Sequence, residues 1–403
     1  VAIAGRRRRI LFVGEAVTLA HVARPLALAQ GLDPSRYEAI LAMSPRSAAM
    51  AEGSGLAVRP IRSIPGEQFL AALDCGRPVY DAATLRDYVR DDLDLLGEVR
   101  PDVVVGDFRL SLAVSARVAK VPYATITNAY WSPYATGGFP MPEFPPSRAL
   151  GVRLARPLFA LARPLAFALH CRPLNRVRRE FGLPGVGGDL RRAYTEADRT
   201  LYADVPELVP TVGLPEHHRY LGPVLWSPPV PRPDWWGDIP ADRPLIYLTL
   251  GSSGRAERLP ALLEALTDLP AFVVAASARP EVPARVPANA RVAPFLPGRE
   301  VAARARLVVC NGGSPTTHQA LAAGVPVLGL PQNLDQHLNM QAIVQFGAGA
   351  MLRSEWATAA AVRAAVTRLL ADPAPARRAG EVAALFARCN AARQLDAALS
   401  TIA

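Results

Sequence analysis

Short unbroken apolar runs alternate along this chain with stretches whose apolar positions recur every three to four residues. Runs at 10–14, 37–43, 102–107 and 123–127 read as buried strands, and segments 21–30, 84–98 and 110–120 carry the helical period. Pro25 falls near the first turn of the first helix. Strand and helix in alternation are the pattern of a parallel sheet with crossover helices. From 206 to 240 the chain is rich in Pro, Gly and Trp and loses periodicity, as a linker does. The alternation restarts with strands at 245–251, 272–277, 307–310 and 325–330 and a helix near 257–268. No fixed-period repeat is present. The expected fold is α/β, two doubly wound Rossmann-like domains with a ligand in the cleft between them at the carboxyl ends of the strands. The expected boundaries are 1–215, a linker over 216–243, a second domain over 244–380 and a final helix over 381–403.

A length of 403 residues favours two cores over one. Half of the residues are apolar and a fifth charged, a globular composition. The net charge of +10 raises nucleic acid as a partner. Lys occurs only at Lys120, however, and Arg with abundant Ala and Pro reflects GC-rich coding, so no nucleic-acid partner is expected. The charge is concentrated: residues 148–179 hold eight Arg and no acid, and without them the net charge is about +2. Cys75, Cys171, Cys310 and Cys389 lie far apart without metal-ligand spacing and read as reduced thiols. The basic run Arg6 to Arg9 is followed by too few apolar residues for a signal peptide or membrane span, so a cytoplasmic location is expected.

The strongest local chemistry is CNGGSPTTHQALAAGVPVLGLPQNLDQHLN, from Cys310 to Asn339. A buried strand ends at Asn311, Gly312 and Gly313; Ser314 reads as an N-cap and Pro315 as the first helical residue. The glycines admit a ligand close to the backbone, and free amides at Thr316 and Thr317 would favour an anion. An ordinary strand-turn-helix is the competing reading. After Gly324 closes the helix, another strand leads to Asp335, Gln336 and Asn339, a carboxylate and amides suited to sugar hydroxyls.

This segment resembles the donor signature of the family 1 glycosyltransferases of the GT-B fold, which includes bacterial macrolide enzymes and plant UDP-sugar enzymes. The resemblance implies a UDP- or TDP-linked sugar donor, no further cofactor, diphosphate held by Gly312, Gly313, Thr316 and Thr317, and a hexose held by Asp335 and Gln336. YLTLGSS, ending at Ser252 and Ser253, is similar to the first donor-domain strand and its phosphate turn. ARVAPFLPGREV is similar to the base-binding segment, with Phe295 stacking on the base and the Leu296 backbone reading its edge. Asn311 stands where the family has His; an amide donates to a phosphate oxygen but carries no charge. The fold also implies that the last helix, from about Ala374, returns to the N-terminal domain.

Transfer to an acceptor hydroxyl needs a base, and His is the usual one near neutrality. His21, in LAHVARPLALA just after the first strand, resembles the family's base, and Asp107 at the end of a strand matches the acid that orients it. A helix-capping His and a strand-end Asp are the bland alternatives. His217, His218, His318, His337 and His170 are weaker candidates, the third and fourth flanking the donor segment. Glu15 reads as a solvated loop residue or an auxiliary acid. Asp92 and Asp94 spell DxD, but their helical spacing reads as a solvated face. No metal site is expected.

Tyr130, Trp131 and Tyr134, in a loop rich in aromatics and Pro, offer flat surface for an acceptor, or pack on the linker. The Arg-rich stretch 148–179 reads as a helix pair over the acceptor pocket, broken by Pro157, Pro164 and Pro173, or as a surface for an anionic bilayer or an acidic apolar acceptor. The sequence therefore points to an inverting, metal-independent hexosyltransferase acting on a hydrophobic hydroxyl-bearing molecule. The alternatives are a peripheral-membrane enzyme with a lipid acceptor, a donor-binding protein with little turnover, and an epimerase.

Overall fold

The structure is a computed structural model that describes residues 6–143 and 145–402, the side chains of 145–150 excepted. In chain order its elements are β1 (Arg8–Gly14), α1 (Leu19–Gln30), β2 (Tyr37–Met43), β3 (Ala57–Pro60), α2 (Gly66–Asp74), α3 (Ala82–Val99), β4 (Val103–Asp107), α4 (Leu112–Ala119), β5 (Tyr123–Thr127), α5 (Pro145–Glu180), α6 (Leu190–Tyr194), β6 (Arg199–Tyr202) and β7 (His218–Tyr220). There follow β8 (Leu245–Thr249), α7 (Leu259–Ala265), β9 (Phe272–Ala276), β10 (Ala290–Ala293), α8 (Gly298–Arg304), β11 (Leu307–Cys310), α9 (Ser314–Ala322), β12 (Val327–Gly329), α10 (Leu334–Phe346), β13 (Gly349–Met351), α11 (Ala359–Ala371), α12 (Pro373–Ala387) and α13 (Ala391–Leu399).

The chain forms two compact units, one of residues 1–137, 158–224 and 389–403, the other of 138–157 and 225–388. In the first, seven parallel strands run in the order β3-β2-β1-β4-β5-β6-β7. Helices cover both faces, so the central strands bury continuous apolar runs: Ile10, Leu11, Phe12 and Val13 are wholly inaccessible, as are Val103, Val104 and Val105. Strand order reverses between β1 and β4, where Gly14 pairs with Asp107. A parallel α/β sheet opens its ligand crevice at such a reversal, beyond the carboxyl ends. The last helix, α13, belongs to this unit: Arg8 Nη1 donates to Leu399 O at 2.6 Å and Tyr37 OH to Asp396 at 2.6 Å.

The second unit repeats the plan with six parallel strands, β10-β9-β8-β11-β12-β13. Its reversal lies between β8 and β11, where Thr249 pairs with Cys310. The core is the Val, Leu and Ile of these strands packed on α7 and α11.

The Pro-rich stretch departs from expectation. α5 is two helical pieces that meet at Gly151 (φ 71°), and Pro157, Pro164 and Pro173, expected to break it, lie within the longer piece. Each Pro removes one ladder bond, and Pro157 and Pro164, two turns apart, are both exposed, where water can satisfy the freed carbonyls. The side chain of Arg148 lies outside the described residues.

Candidate functional site

The first unit's crevice is built on close approach. A Cβ on Gly14 would sit 2.9 Å from the His21 carbonyl oxygen, so only Gly lets α1 start this near the end of β1. That approach brings His21 over Asp107, with Nδ1 2.7 Å from Oδ1. Asp107 is fully buried, while the His21 side chain keeps 18 % exposure.

A third residue completes the arrangement. Arg24, one turn after His21 on α1, donates from Nε to Asp107 Oδ2 at 2.7 Å and from Nη2 to Oδ1 at 2.8 Å. Its Nη1 donates to Asn128 Oδ1 at 2.8 Å, and Asn128 donates in turn to Asp204. The fork uses both Asp107 oxygens as acceptors, so the proton between His21 and Asp107 belongs to Nδ1, and Nε2 keeps its lone pair. Arg24 Nη2 stands 3.2 Å from Nδ1, a close approach of two donors that adds positive charge beside the ring.

The ring is also pinned from its face. Phe108 stacks on His21 with centroids 4.7 Å apart and planes at 18°. Its backbone is left-handed, φ 57°, a conformation costing a side-chain-bearing residue about 1–2 kcal/mol. Phe69, Tyr80 and Tyr194 ring Phe108 at 5.8, 6.3 and 5.5 Å, and Trp131 meets Tyr194 at 5.0 Å. Trp131 thus joins the aromatic group beside His21. Tyr130 is buried, as Trp131 is, and Tyr134 packs edge-on against His218 at 5.3 Å.

Below this crevice the acids are not solvated. Glu15 is inaccessible and takes Arg109 Nη1 at 2.7 Å; burial raises its pKa, with Arg109 opposing. Asp92 is also buried, accepting from Arg109 Nη2 at 2.9 Å and Ser111 Oγ at 2.5 Å. Both sequence expectations for these residues are corrected, since each is a partner of the buried Arg109, whose guanidinium also lies 3.8 Å over the Tyr88 ring. Asp94 alone is exposed. No group of three or more potential metal ligands occurs among the described residues.

In the second unit three segments meet at Ser253. Asn311, at the end of β11, donates from Nδ2 to Ser253 Oγ at 3.1 Å and accepts from the Gly313 amide at 3.2 Å. Gln336 Nε2 reaches the same hydroxyl at 3.4 Å. Ser252 is exposed beside it. Gly312 (φ 82°) is hemmed by Met340, where a Cβ would fall 2.6 Å from Cγ.

Several details shift from expectation. The N-cap of α9 is Gly313, and Ser314 is the first helical residue, with no side-chain cap. The Thr317 amide already bonds Gly313 O at 3.2 Å, and its hydroxyl is buried against Ser314 O and Asn339. Thr317 therefore braces the turn, leaving Thr316, half-buried, at the helix start. Gln336 is 2 % exposed and spends its oxygen on the Gln332 amide at 2.9 Å. Asn339 is buried and holds Gly312 O at 2.7 Å from behind. Asp335 stays half-exposed in the first turn of α10. Phe295 is 39 % exposed, so it is no core aromatic, whereas Leu296 is buried.

Of the remaining histidines, four are buried or bonded within the fold. His318 packs edge-on against Phe386, and His337 is wholly buried, its pKa pushed down to about 3 by burial and by Arg353. His218 is bound to Tyr202 OH at 2.6 Å and lowered to about 4 by burial. His170 Nδ1 meets Ala166 O of its own helix at 2.8 Å, and His217 is exposed.

Comparison with known proteins bears on the family and the fold. Residues 260–392 match the family described as erythromycin biosynthesis protein CIII-like, C-terminal domain. The chain is 56 % identical over 365 residues, 91 % of it and 85 % of the relative, to a PGL/p-HBAD biosynthesis glycosyltransferase of Mycobacterium tuberculosis (strain ATCC 25177 / H37Ra). It is 53 % identical over 386 residues, 96 % and 86 % of the two chains, to a PGL/p-HBAD biosynthesis rhamnosyltransferase of Mycobacterium bovis (strain BCG / Pasteur 1173P2). The chain belongs to the family 1 glycosyltransferases of the GT-B fold. This glycosyltransferase shares its fold with the spinosyn rhamnosyltransferase SpnG complexed with thymidine diphosphate, at a TM-score of 0.68 and 20 % identity over 97 % of this chain and 99 % of that one. Like its family it is an inverting, metal-independent enzyme of natural product biosynthesis.

Arg24 and Phe108 escaped the sequence reading. Arg24 had a signal, since three residues after His21 puts it on the same face of α1. Phe108 had none, because a left-handed backbone at a non-glycine residue leaves no pattern.

Proposed function

We propose that this glycosyltransferase moves a hexose from a TDP- or UDP-linked donor to the hydroxyl of a hydrophobic small molecule. His21 Nε2 takes the hydroxyl proton as the oxygen attacks the anomeric carbon from the face opposite the leaving diphosphate. Asp107 meets the positive charge that then forms on the imidazole, and Arg24 fixes the carboxylate in place. The departing diphosphate is received by the amides and hydroxyls of Ser252, Ser253 and Thr316, aided by the N-terminus of α9, with Asn311 holding the turn through the Gly313 amide. Asp335 binds sugar hydroxyls, with Gln336 shaping the loop around it, and Phe295 stacks on the base. No metal or further cofactor takes part. The acceptor lies against Trp131, Tyr194 and Phe108.

The observation that carries this reading is the hydrogen bond of His21 to Asp107 at the strand-order reversal. A TDP-linked 6-deoxyhexose is favoured by the relative named a rhamnosyltransferase and by SpnG's complex with thymidine diphosphate. The relatives' names likewise favour an acceptor of PGL/p-HBAD biosynthesis. A thermal-shift panel of TDP-, UDP- and GDP-sugars tests the donor, and mass spectrometry of lipid and phenol extracts incubated with the best donor tests the acceptor. A TDP- or UDP-sugar should give the largest shift and a product heavier by one sugar. No shift with any donor, or conversion of the donor without an acceptor, would overturn it.

A further inference from the structure

Among the described residues α5 is apolar on two sides. Phe167, Cys171, Leu174 and Val177 are buried in the first unit. Around the helix from them, Leu158, Leu161, Leu165 and Leu169 are 55, 82, 63 and 38 % exposed. At helical spacing these four fall within an arc of about 80°. A row of leucines this open to water is an apolar patch without a cover.

Its charge selects the partner. Arg172, Arg176 and Arg179 are exposed and continue the same face over the last two turns, and residues 148–179 contain no acid. Glu180, just beyond, is already held by Arg86 and Arg176. A second copy docking by this face with the helices parallel would set arginine against arginine, with no carboxylate between them. A partner that is apolar and anionic satisfies both parts. No helix of the described residues is long and apolar enough to cross a membrane, so the contact is superficial.

We infer that α5 lies on an anionic lipid surface, with Leu158, Leu161, Leu165 and Leu169 in the acyl boundary and Arg172, Arg176 and Arg179 at the lipid phosphates. The inference does not depend on the donor or acceptor assigned above. It implies that the enzyme works where an apolar acceptor partitions.

Flotation of the full chain with phosphatidylcholine vesicles, with and without phosphatidylglycerol, tests it. The protein should float with the anionic vesicles, at least tenfold less with phosphatidylcholine alone, and be released by high salt. Leu161→Glu with Leu165→Glu should abolish flotation and keep the melting temperature, because both side chains already face water. Arg172→Gln with Arg179→Gln should weaken flotation on anionic vesicles only. Absence of flotation, or flotation undiminished in the leucine variant, would overturn the inference. So would a dimer in sedimentation equilibrium that the leucine variant dissociates, which would assign the face to a second copy.

Discussion

Arg24 sits at 2.7 and 2.8 Å from both oxygens of the carboxylate that orients His21, so it controls how much of the Asp107 charge the imidazole feels. Replacing it with Gln removes a positive charge 3.2 Å from Nδ1. kcat should then fall, with donor affinity unchanged, because Asp107 loses its fixed geometry. Arg24→Lys should recover only part of kcat, since an ammonium cannot form the two-pronged contact. An unchanged kcat in Arg24→Gln would contradict this role. His21 and Asp107 were legible in the sequence because both fall just beyond or at the end of a predicted strand, where an α/β sheet opens its crevice. Arg24 was not, because in so Arg-rich a chain one more Arg looks like background.

At the scale of elements, α3 shows where periodicity was read too coarsely. Asp92 lies on the face of Leu85, Val89 and Leu96, all buried, whereas Asp94 points to water. An acid at a core position of an amphipathic helix signals a buried cation elsewhere, and Arg109 is that cation. Asp92→Ala should destabilise the protein by about 3–5 kcal/mol, because it breaks a buried pair and leaves the Arg109 guanidinium underpaired. Asp94→Ala should stay within about 0.5 kcal/mol, and chemical denaturation of the two variants separates the cases. Equal effects would mean that Asp92 is solvated after all. The strand-turn-helix at β11 and α9 was legible from its glycines and Pro. The cap position slid by one residue, because Gly313 and Ser314 both suit a helix start and only the backbone decides between them. The inward turn of Gln336 depends on Gln332 and Ser253, the latter distant in sequence, which no local motif encodes.

Over the whole molecule, the repeated strand and helix alternation gave both parallel sheets, since a parallel strand must be apolar on both faces and is therefore conspicuous. The buried histidines add a pH dependence that the sequence concealed. His337 and His218 have folded pKa values of about 3 and 4, below the unfolded value near 6.5. The unfolded chain therefore binds more protons below pH 6.5, and the contribution of both groups to stability falls as pH drops toward 4. His337 should cost about 2 kcal/mol by pH 5. Glu15 and Glu143, whose pKa values are raised by burial, act in the opposite sense, so the comparison needs a variant. His337→Gln should lose less stability between pH 7 and pH 5 than the native protein in urea titrations; an equal loss would contradict the assignment. The account rests most heavily on His21 as the base, and the direct test is turnover of His21→Ala with one donor and acceptor, donor affinity being measured alongside. Activity should fall by about 10²–10⁴-fold while donor affinity holds, because the proposed donor residues lie in the other unit. An unchanged rate of product formation would contradict it.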